Sequence, residues 1–152
     1  MKKFDYIEAA KKIFEIESRV VSELSDQLDD SFNLLCEDIL SMNGKLILMG
    51  VGKSGHVSQK IAATLSSTGT ASFFIHPTEA AHGDMGMIGK DDMVLLFSNS
   101  GETQEIISIV PALKRASKKL VSVTGNALSS IAQASDNHIE IKTSEEACTL
   151  DL

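Results

Sequence analysis

Short apolar runs that alternate with helix-period segments constrain the fold of this sequence more than any other feature. Five runs after residue 44 predict strands, at 45–50, 71–75, 92–97, 119–123 and 138–142. Between them, apolar residues recur at helical spacing over 57–65, 106–117 and 128–134. Strands that are apolar along nearly their whole length are typical of a parallel sheet that helices cover on both faces. The alternation therefore predicts an α/β fold, a three-layer αβα sandwich around a five-stranded parallel sheet.

The first 43 residues lack strand signals and predict helices. Ile7, Phe14, Val21 and Leu28 recur every seven positions and form an apolar stripe. The segment 29–31, Asp-Asp-Ser, predicts a break and a helix N-cap, and the second helix is expected to stop near Asn43-Gly44. We therefore divide the chain into a helical extension, residues 1–43, that packs on the domain or on a partner subunit, and a domain, residues 44–152.

Charge and cysteine usage limit the possible partners and compartment. Fourteen basic and 21 acidic side chains give a net charge of −7, which disfavours nucleic acid and anionic membranes as partners. No apolar run approaches the roughly 20 residues that cross a bilayer, and the N-terminus has no secretion signal. Cys36 and Cys148 lack CxxC spacing and are expected to be reduced thiols. We expect a cytoplasmic protein with one domain.

Two polar loops with glycines follow the first and third predicted strands. They are GVGKSGH at 50–56 and SNSGET at 98–103. In open parallel sheets, ligands bind beyond the carboxyl ends of the strands. Small residues let the backbone approach a ligand, and helix N-termini offer unpaired N–H groups to an anion. The two loops together predict a phosphate-binding site.

Each loop also has a simpler interpretation, as a turn or as a helix N-cap. The first loop lacks the GxxxxGK[ST] spacing of a P-loop, and His56 stands where GxGxxG requires its third glycine. Because two such loops close strands of one sheet, we favour a phosphorylated small molecule as the ligand. A nucleotide is the minor alternative.

Longer motifs carry a family resemblance. The pattern Ser98-x-Ser100-Gly101-x-Thr103-x-Glu105 resembles the phosphate-binding signature of SIS (sugar isomerase) domains. Together with GKSGH at 52–56 and FFIHPTEAAHGD at 73–84, it is similar to the arabinose 5-phosphate isomerases of the Kdo branch of lipopolysaccharide biosynthesis. The resemblance implies a flavodoxin-like sandwich, assembly into dimers or tetramers, and interconversion of D-arabinose 5-phosphate and D-ribulose 5-phosphate without a required cofactor.

The resemblance also implies roles for individual residues. It implies that nine residues bind the substrate: Ser54, Gly69, Thr70, His76, His82, Ser98, Asn99, Ser100 and Thr103. The serines and the threonine of the two loops would bind its phosphate. Those implied to be catalytic are Lys53, Glu105, Glu146 and His82. Zinc is implied as a possible inhibitor, with His76 as its ligand.

The chemistry of an aldose–ketose isomerase supports these roles unevenly. The reaction needs a base, an acid and positive charge near the developing oxyanion. Glu105 begins the helix after the phosphate loop, although a helix-start carboxylate is favoured by the dipole alone. Lys53 suits the oxyanion or the phosphate, and is otherwise an exposed loop lysine. Glu146 depends on family position only, with Glu145 as a neighbouring alternative.

The two candidate histidines have separate arguments. His82 lies among small residues and suits a ligand-facing imidazole that shuttles a proton near neutral pH. His76 ends a predicted strand and has a structural role as its alternative. We interpret His56 and His138 as structural.

Members of the resembled family continue beyond the segment seen here at 146–148. They carry a further catalytic histidine and a pair of CBS domains, and this sequence ends at Leu152. We therefore expect a shortened form, whose activity alone is an open question. The preferred function is an isomerase domain. The alternatives are a phosphosugar-binding regulatory SIS module without catalysis and a nucleotide-binding signalling domain.

Overall fold

Five parallel strands form a single sheet in the order β2-β1-β3-β4-β5. The structure is a computed structural model and describes residues 4–147. The strands are β1 (Leu46–Gly50), β2 (Ser72–Phe74), β3 (Met93–Ser98), β4 (Lys119–Thr124) and β5 (Asn137–Glu140). This is the flavodoxin-like strand order, and the predicted α/β fold with a five-stranded parallel sheet is confirmed.

Helices connect the strands and precede the sheet. They are α1 (Tyr6–Leu24), α2 (Asp30–Ser41), α3 (Lys53–Ser67), α4 (Pro77–Ala81), α5 (Gln104–Ile107), α6 (Val110–Ala116) and α7 (Ser130–Ala134). Short 3-10 turns follow α1 and α4, at Ser25–Gln27 and Asp84–Met87. The helical segment predicted at 106–117 is divided into α5 and α6, and Pro111 lies in the first turn of α6, where proline is tolerated.

Alternate side chains of the central strands point to opposite faces of the sheet and build two apolar cores. On one face, Ile47, Met49 and Leu96 pack with side chains of α4 to α7, among them Leu113 and Ile131. On the other face the core residues come from the strands and from α2 and α3; they are Leu35, Leu46, Leu48, Ala62, Met93, Leu95, Val121, Val123 and Ile139. The molecule therefore has the three predicted layers, with the sheet in the middle.

The helical extension packs on the sheet mainly through α2. Asp29 caps α2, its carboxylate accepting the Ser31 N–H at 2.8 Å, as the sequence predicted. Leu35 of α2 is buried against the sheet, whereas α1 has no buried residue. Residues 30–41 thus share a core with the strands, and the predicted division of the chain at residue 43 stays a prediction.

Two expectations drawn from composition concern membrane-spanning helices and cysteines. Among residues 4–147, no helix is both long and apolar enough to span a bilayer. Cys36 is a partly buried free thiol, and Cys148 lies outside the described residues.

We expect Leu113→Ala to lower the free energy of unfolding by about 3 kcal/mol, because the leucine is fully buried and its loss leaves a cavity. Leu40→Ala is the matched control, since Leu40 is 86% exposed. Urea unfolding of the two variants measures the difference. Equal destabilisation of both variants would contradict the core described here.

Candidate functional site

The two polar loops leave the sheet side by side. β1 and β3 are neighbours, and their register pairs Gly50 with Phe97, so both strands end at the same level. The helix after β1, α3, covers one face of the sheet, and the helix after β3, α5, covers the other. This divergence opens a crevice above the ends of β1 and β3, which is where ligands bind in doubly wound sheets.

A close contact of two glycines places the first turn of α3 on the end of β1. A Cβ atom on Gly50 would lie 2.8 Å from the Ser54 carbonyl oxygen, and one on Gly55 would lie 2.8 Å from the Gly50 oxygen. Neither position accepts a side chain without movement. Within residues 4–147, the amide groups of Lys53 and Ser54 have no hydrogen-bond acceptor, as expected at a helix start. The helix therefore presents free donors at the crevice.

The loop after β3, residues 99–103, which we call the phosphate loop, is organised by hydroxyl groups. The Ser98 Oγ is buried, accepts the Gly101 N–H at 3.0 Å and lies 2.8 Å from the Thr103 Oγ1. The Ser100 Oγ accepts the Glu102 N–H at 3.2 Å. These hydroxyls shape the loop, in addition to the phosphate-binding role that was predicted for them.

The backbone of the phosphate loop leaves donors unused. In the described part of the chain, the amide groups of Ser100, Thr103 and Gln104 find no acceptor. Together with the first turn of α3, they make two sets of N–H groups at one edge of the sheet. An anion is the ligand that satisfies such donors best.

Neighbouring elements fix the position of the phosphate loop. The Asn99 carbonyl oxygen accepts the Gly125 N–H at 2.9 Å, beyond the end of β4. Gly101 has a positive φ of 67°, and any side chain there would collide with Ser129. The Glu102 carboxylate accepts the Ser130 N–H at 2.7 Å, and this bond, followed by that from the Ser130 hydroxyl, lowers the pKa of Glu102.

Lys53 and Glu105 flank the crevice from its two sides. Lys53 is the first residue of α3, and Glu105 lies in the first turn of α5. Both side chains are exposed, and neither forms an ion pair or side-chain hydrogen bond with residues 4–147. An ammonium group and a carboxylate are thus available for a ligand held between the loops.

The histidine His76 lies near the first loop. Its ring lines a pocket of about 240 Å³ together with His56 and Gln59 of α3 and Gly52. Its Nδ1 accepts the Thr78 N–H at 3.2 Å and so caps α4. In the neutral ring the proton is then on Nε2, which makes His76 a hydrogen-bond donor.

Two other histidines differ in their position relative to this pocket and α4. His82 follows the last residue of α4 and is exposed, and α4 contacts α5. His56, which the sequence analysis interpreted as structural, stands in the first turn of α3 and faces the same pocket as His76. Its spacing of three residues from Lys53 on a helix was the signal that could have revealed this position.

Three further predicted site residues lie in other segments of the chain. Gly69 and Thr70 follow the far end of α3, about 22 Å from its start at 1.5 Å per residue, and lead into the amino end of β2. Glu146 lies in the segment after β5, where Glu145 pairs with Arg19 of α1. The structure does not bring Gly69 and Thr70 to the crevice of the same chain, and the substrate contacts of all three residues stay predictions.

The described residues do not fit a complete zinc site. Residues 4–147 bring together no group of three histidine, cysteine or acidic side chains that could hold a metal ion. His76, the implied ligand, uses Nδ1 to accept the Thr78 amide, so its Nε2 would have to lose its proton before binding zinc. Zinc inhibition therefore stays a prediction.

The sequence has close relatives among characterised enzymes. The arabinose 5-phosphate isomerase KdsD of Salmonella typhi is 48% identical over 149 residues, which cover 98% of this chain and 45% of the relative. KdsD of Pseudomonas aeruginosa is 48% identical over 148 residues, covering 97% of this chain and 45% of the relative. The chain spans less than half the length of these curated relatives.

A solved structure and a family pattern agree with this result. The Escherichia coli CFT073 protein c3406, solved in complex with arabinose 5-phosphate, is 45% identical with a TM-score of 0.93 and covers 100% of this chain and 81% of that one. The sequence pattern of the SIS domain matches residues 39–151, well over half of the chain. The chain therefore belongs to the SIS domain family.

Proposed function

We propose that this chain is the isomerase domain of an enzyme that interconverts D-arabinose 5-phosphate and D-ribulose 5-phosphate. The observation that carries the proposal is the crevice between the two loops, with unused amide donors on both sides and Lys53 and Glu105 at its rim. The identity to KdsD enzymes and the likeness to a protein solved with arabinose 5-phosphate support the choice of substrate. The product would then serve Kdo and lipopolysaccharide biosynthesis in the cytoplasm.

The phosphate of the sugar binds where the free donors meet. The amides of Lys53 and Ser54 approach from α3, and those of Ser100 and Thr103 approach from the phosphate loop. Hydroxyl groups of the same segments supply further donors. Charge-assisted hydrogen bonds of this kind are about twice as strong as neutral ones.

Proton transfer then occurs on the open-chain sugar. Glu105 takes the proton from C2 of the aldose while the carbonyl oxygen at C1 gains negative charge and is protonated, which gives an enediol. Lys53 stabilises the developing oxyanion. Return of a proton to C1 and loss of the proton on the C2 hydroxyl give the ketose. Hydrogen moves only within one substrate molecule, so the balance needs no external oxidant, and we expect no required cofactor.

A second candidate function is a regulatory SIS module that binds a phosphosugar without converting it. It is supported by the contact of the segment after β5 with α1, since Glu145, the neighbour of Glu146, pairs with Arg19 rather than facing the crevice. Binding without turnover, in the chain extended to the length of its relatives, would support this alternative.

We also propose that the chain forms a homo-oligomer through α1. Ile7, Phe14 and Val21 are 71%, 65% and 67% exposed, although they form the apolar stripe of a 19-residue helix. A stripe of this kind is buried in most helices. A second copy of the chain is the partner that the family resemblance implies.

The Lys53 ammonium is also available to the phosphate, so we expect Lys53→Ala to weaken the affinity for D-arabinose 5-phosphate at least tenfold, since a charge-assisted bond contributes roughly 1.5–3 kcal/mol. Lys60→Ala is the matched control, because Lys60 is also an exposed lysine of α3 but lies two turns further along the helix. Calorimetric titration measures both affinities. An unchanged affinity in Lys53→Ala would exclude the Lys53 ammonium from phosphate binding.

For catalysis, we expect Glu105→Gln to lower turnover by about 10²–10⁴-fold, the range for loss of a general base, with affinity for the sugar phosphate retained. Glu79→Gln, at an exposed carboxylate of α4, serves as control. Formation of ribulose 5-phosphate is followed by NMR in the chain extended to the length of its relatives. Full turnover in Glu105→Gln would contradict the proposed role of Glu105 as the general base.

For assembly, we expect Val21→Glu to shift the protein toward monomer, because a charge would be buried in the apolar contact. Lys12→Glu, on the opposite side of α1, is expected to leave the oligomer intact. Light scattering after size-exclusion chromatography gives both masses. A wild-type monomer at working concentration would refute the proposed role of α1.

A further inference from the structure

Glu102 stands within the phosphate loop, yet its carboxylate is bound to another element. It lies between Ser100 and Thr103, whose amides the proposed function assigns to the phosphate. A free carboxylate so close to a phosphate dianion would repel it. In the structure, the Glu102 Oε1 accepts the Ser130 N–H at 2.7 Å, at the first residue of α7. The negative charge is therefore partnered by the start of a neighbouring helix.

Two further contacts join the phosphate loop to α7. The Gly101 carbonyl oxygen accepts the Ile131 N–H at 3.1 Å. Ser129, which caps α7 through its side chain, packs so closely on Gly101 that no side chain fits there. Consecutive residues of the loop thus meet consecutive residues at the start of α7, and Glu102 makes the only side-chain hydrogen bond from the loop to α7 within the described residues.

Residue 102 is also linked to its own loop. Its N–H donates to the Ser100 Oγ at 3.2 Å, and its carbonyl oxygen accepts from the Gln104 side chain at 3.4 Å. A movement of Glu102 would therefore move the residues on either side of it. The lowered pKa of the Glu102 carboxyl, caused first by the Ser130 N–H, agrees with an ionised side chain held in this bond.

We propose that Glu102 is a positioning residue for phosphate binding, which ties the phosphate loop to the first turn of α7 and so holds the amides of Ser100 and Thr103 in place. The inference rests on the proposed function in one respect, namely that these amides bind the phosphate of the substrate. Glu102 itself does not touch the substrate. Its contribution is the order of the loop before the ligand arrives, which lowers the entropic cost of binding.

Two substitutions at this position separate positioning from simple electrostatics. Glu102→Ala removes both the charge and the acceptor of the Ser130 N–H, whereas Glu102→Gln removes the charge and keeps an amide oxygen as acceptor. If Glu102 acted only as a charge near the site, both variants would bind the phosphate more tightly than wild type. If Glu102 positions the loop, only the alanine variant weakens binding.

The experiment measures the affinity of each variant for D-arabinose 5-phosphate and for inorganic phosphate by calorimetry. We expect Glu102→Ala to bind both about tenfold more weakly, the effect of losing one hydrogen bond to a charged group. We expect Glu102→Gln to stay within about threefold of wild type, since a neutral acceptor retains roughly half of the bond energy. Glu79→Ala removes an exposed carboxylate of α4 that has no side-chain hydrogen bond among residues 4–147, and is the control for charge.

Amide exchange in the ligand-free protein provides a second measurement. The Ser130 amide is expected to exchange faster in Glu102→Ala than in wild type or Glu102→Gln, and NMR relaxation is expected to show increased motion at Ser100 and Thr103. An alanine variant that binds as tightly as wild type, or a glutamine variant as weak as the alanine variant, would overturn the inference. If wild type binds neither ligand, the proposed function fails, and the relaxation data alone decide whether Glu102 orders the loop.

Discussion

The parallel pairing of β1 with β3 is the constraint on which the rest of the structure depends. The two strands are separated in sequence by α3, β2 and α4, and yet they lie in register to their last residues. Their carboxyl ends therefore reach one edge of the sheet together. Because the chain leaves β1 toward one face and β3 toward the other, the two polar loops cannot pack against each other, and a crevice remains between them.

Most of the fold was predictable because the strands are buried on both faces and their apolar runs are nearly uninterrupted. The helices were less predictable than the strands. The first turn of α3 contains Gly55, follows Gly52 and gives no helical signal, and it forms because Gly55 and Gly50 at the end of β1 allow the helix to contact the strand closely. The short helix α4 was not predicted, since its five residues, which begin at Pro77, are too few to show a helical period of apolar residues. Tertiary contacts, rather than local propensity, determine both.

The candidate site was predictable at the level of loops and not of individual contacts. The element order already implied that Gly69 and Thr70, which precede β2, lie at the amino edge of the sheet. The two polar loops lie at the opposite edge. Other features were outside the reach of sequence patterns. The mutual bond of Ser98 and Thr103 and the bond of Glu102 to the start of α7 depend on how loops fold back on themselves and on their neighbours. Side-chain chemistry and the family resemblance predicted only that Ser98 and Thr103 face a ligand, and they assigned no role to Glu102.

Because α1 exposes its apolar stripe, its helix content is expected to depend on assembly and therefore on protein concentration. No residue of this 19-residue helix is fully buried in its own chain, where the Asp5 cap and the ion pairs of Arg19 with Glu23 and Glu145 stabilise it. Because most helical stability in proteins comes from packing of an apolar face, we expect α1 to gain helical order on meeting a partner. Dilution would then lower the helix content of α1 while α2 and the sheet stay folded, and a spectroscopic measure of helix content would report on assembly.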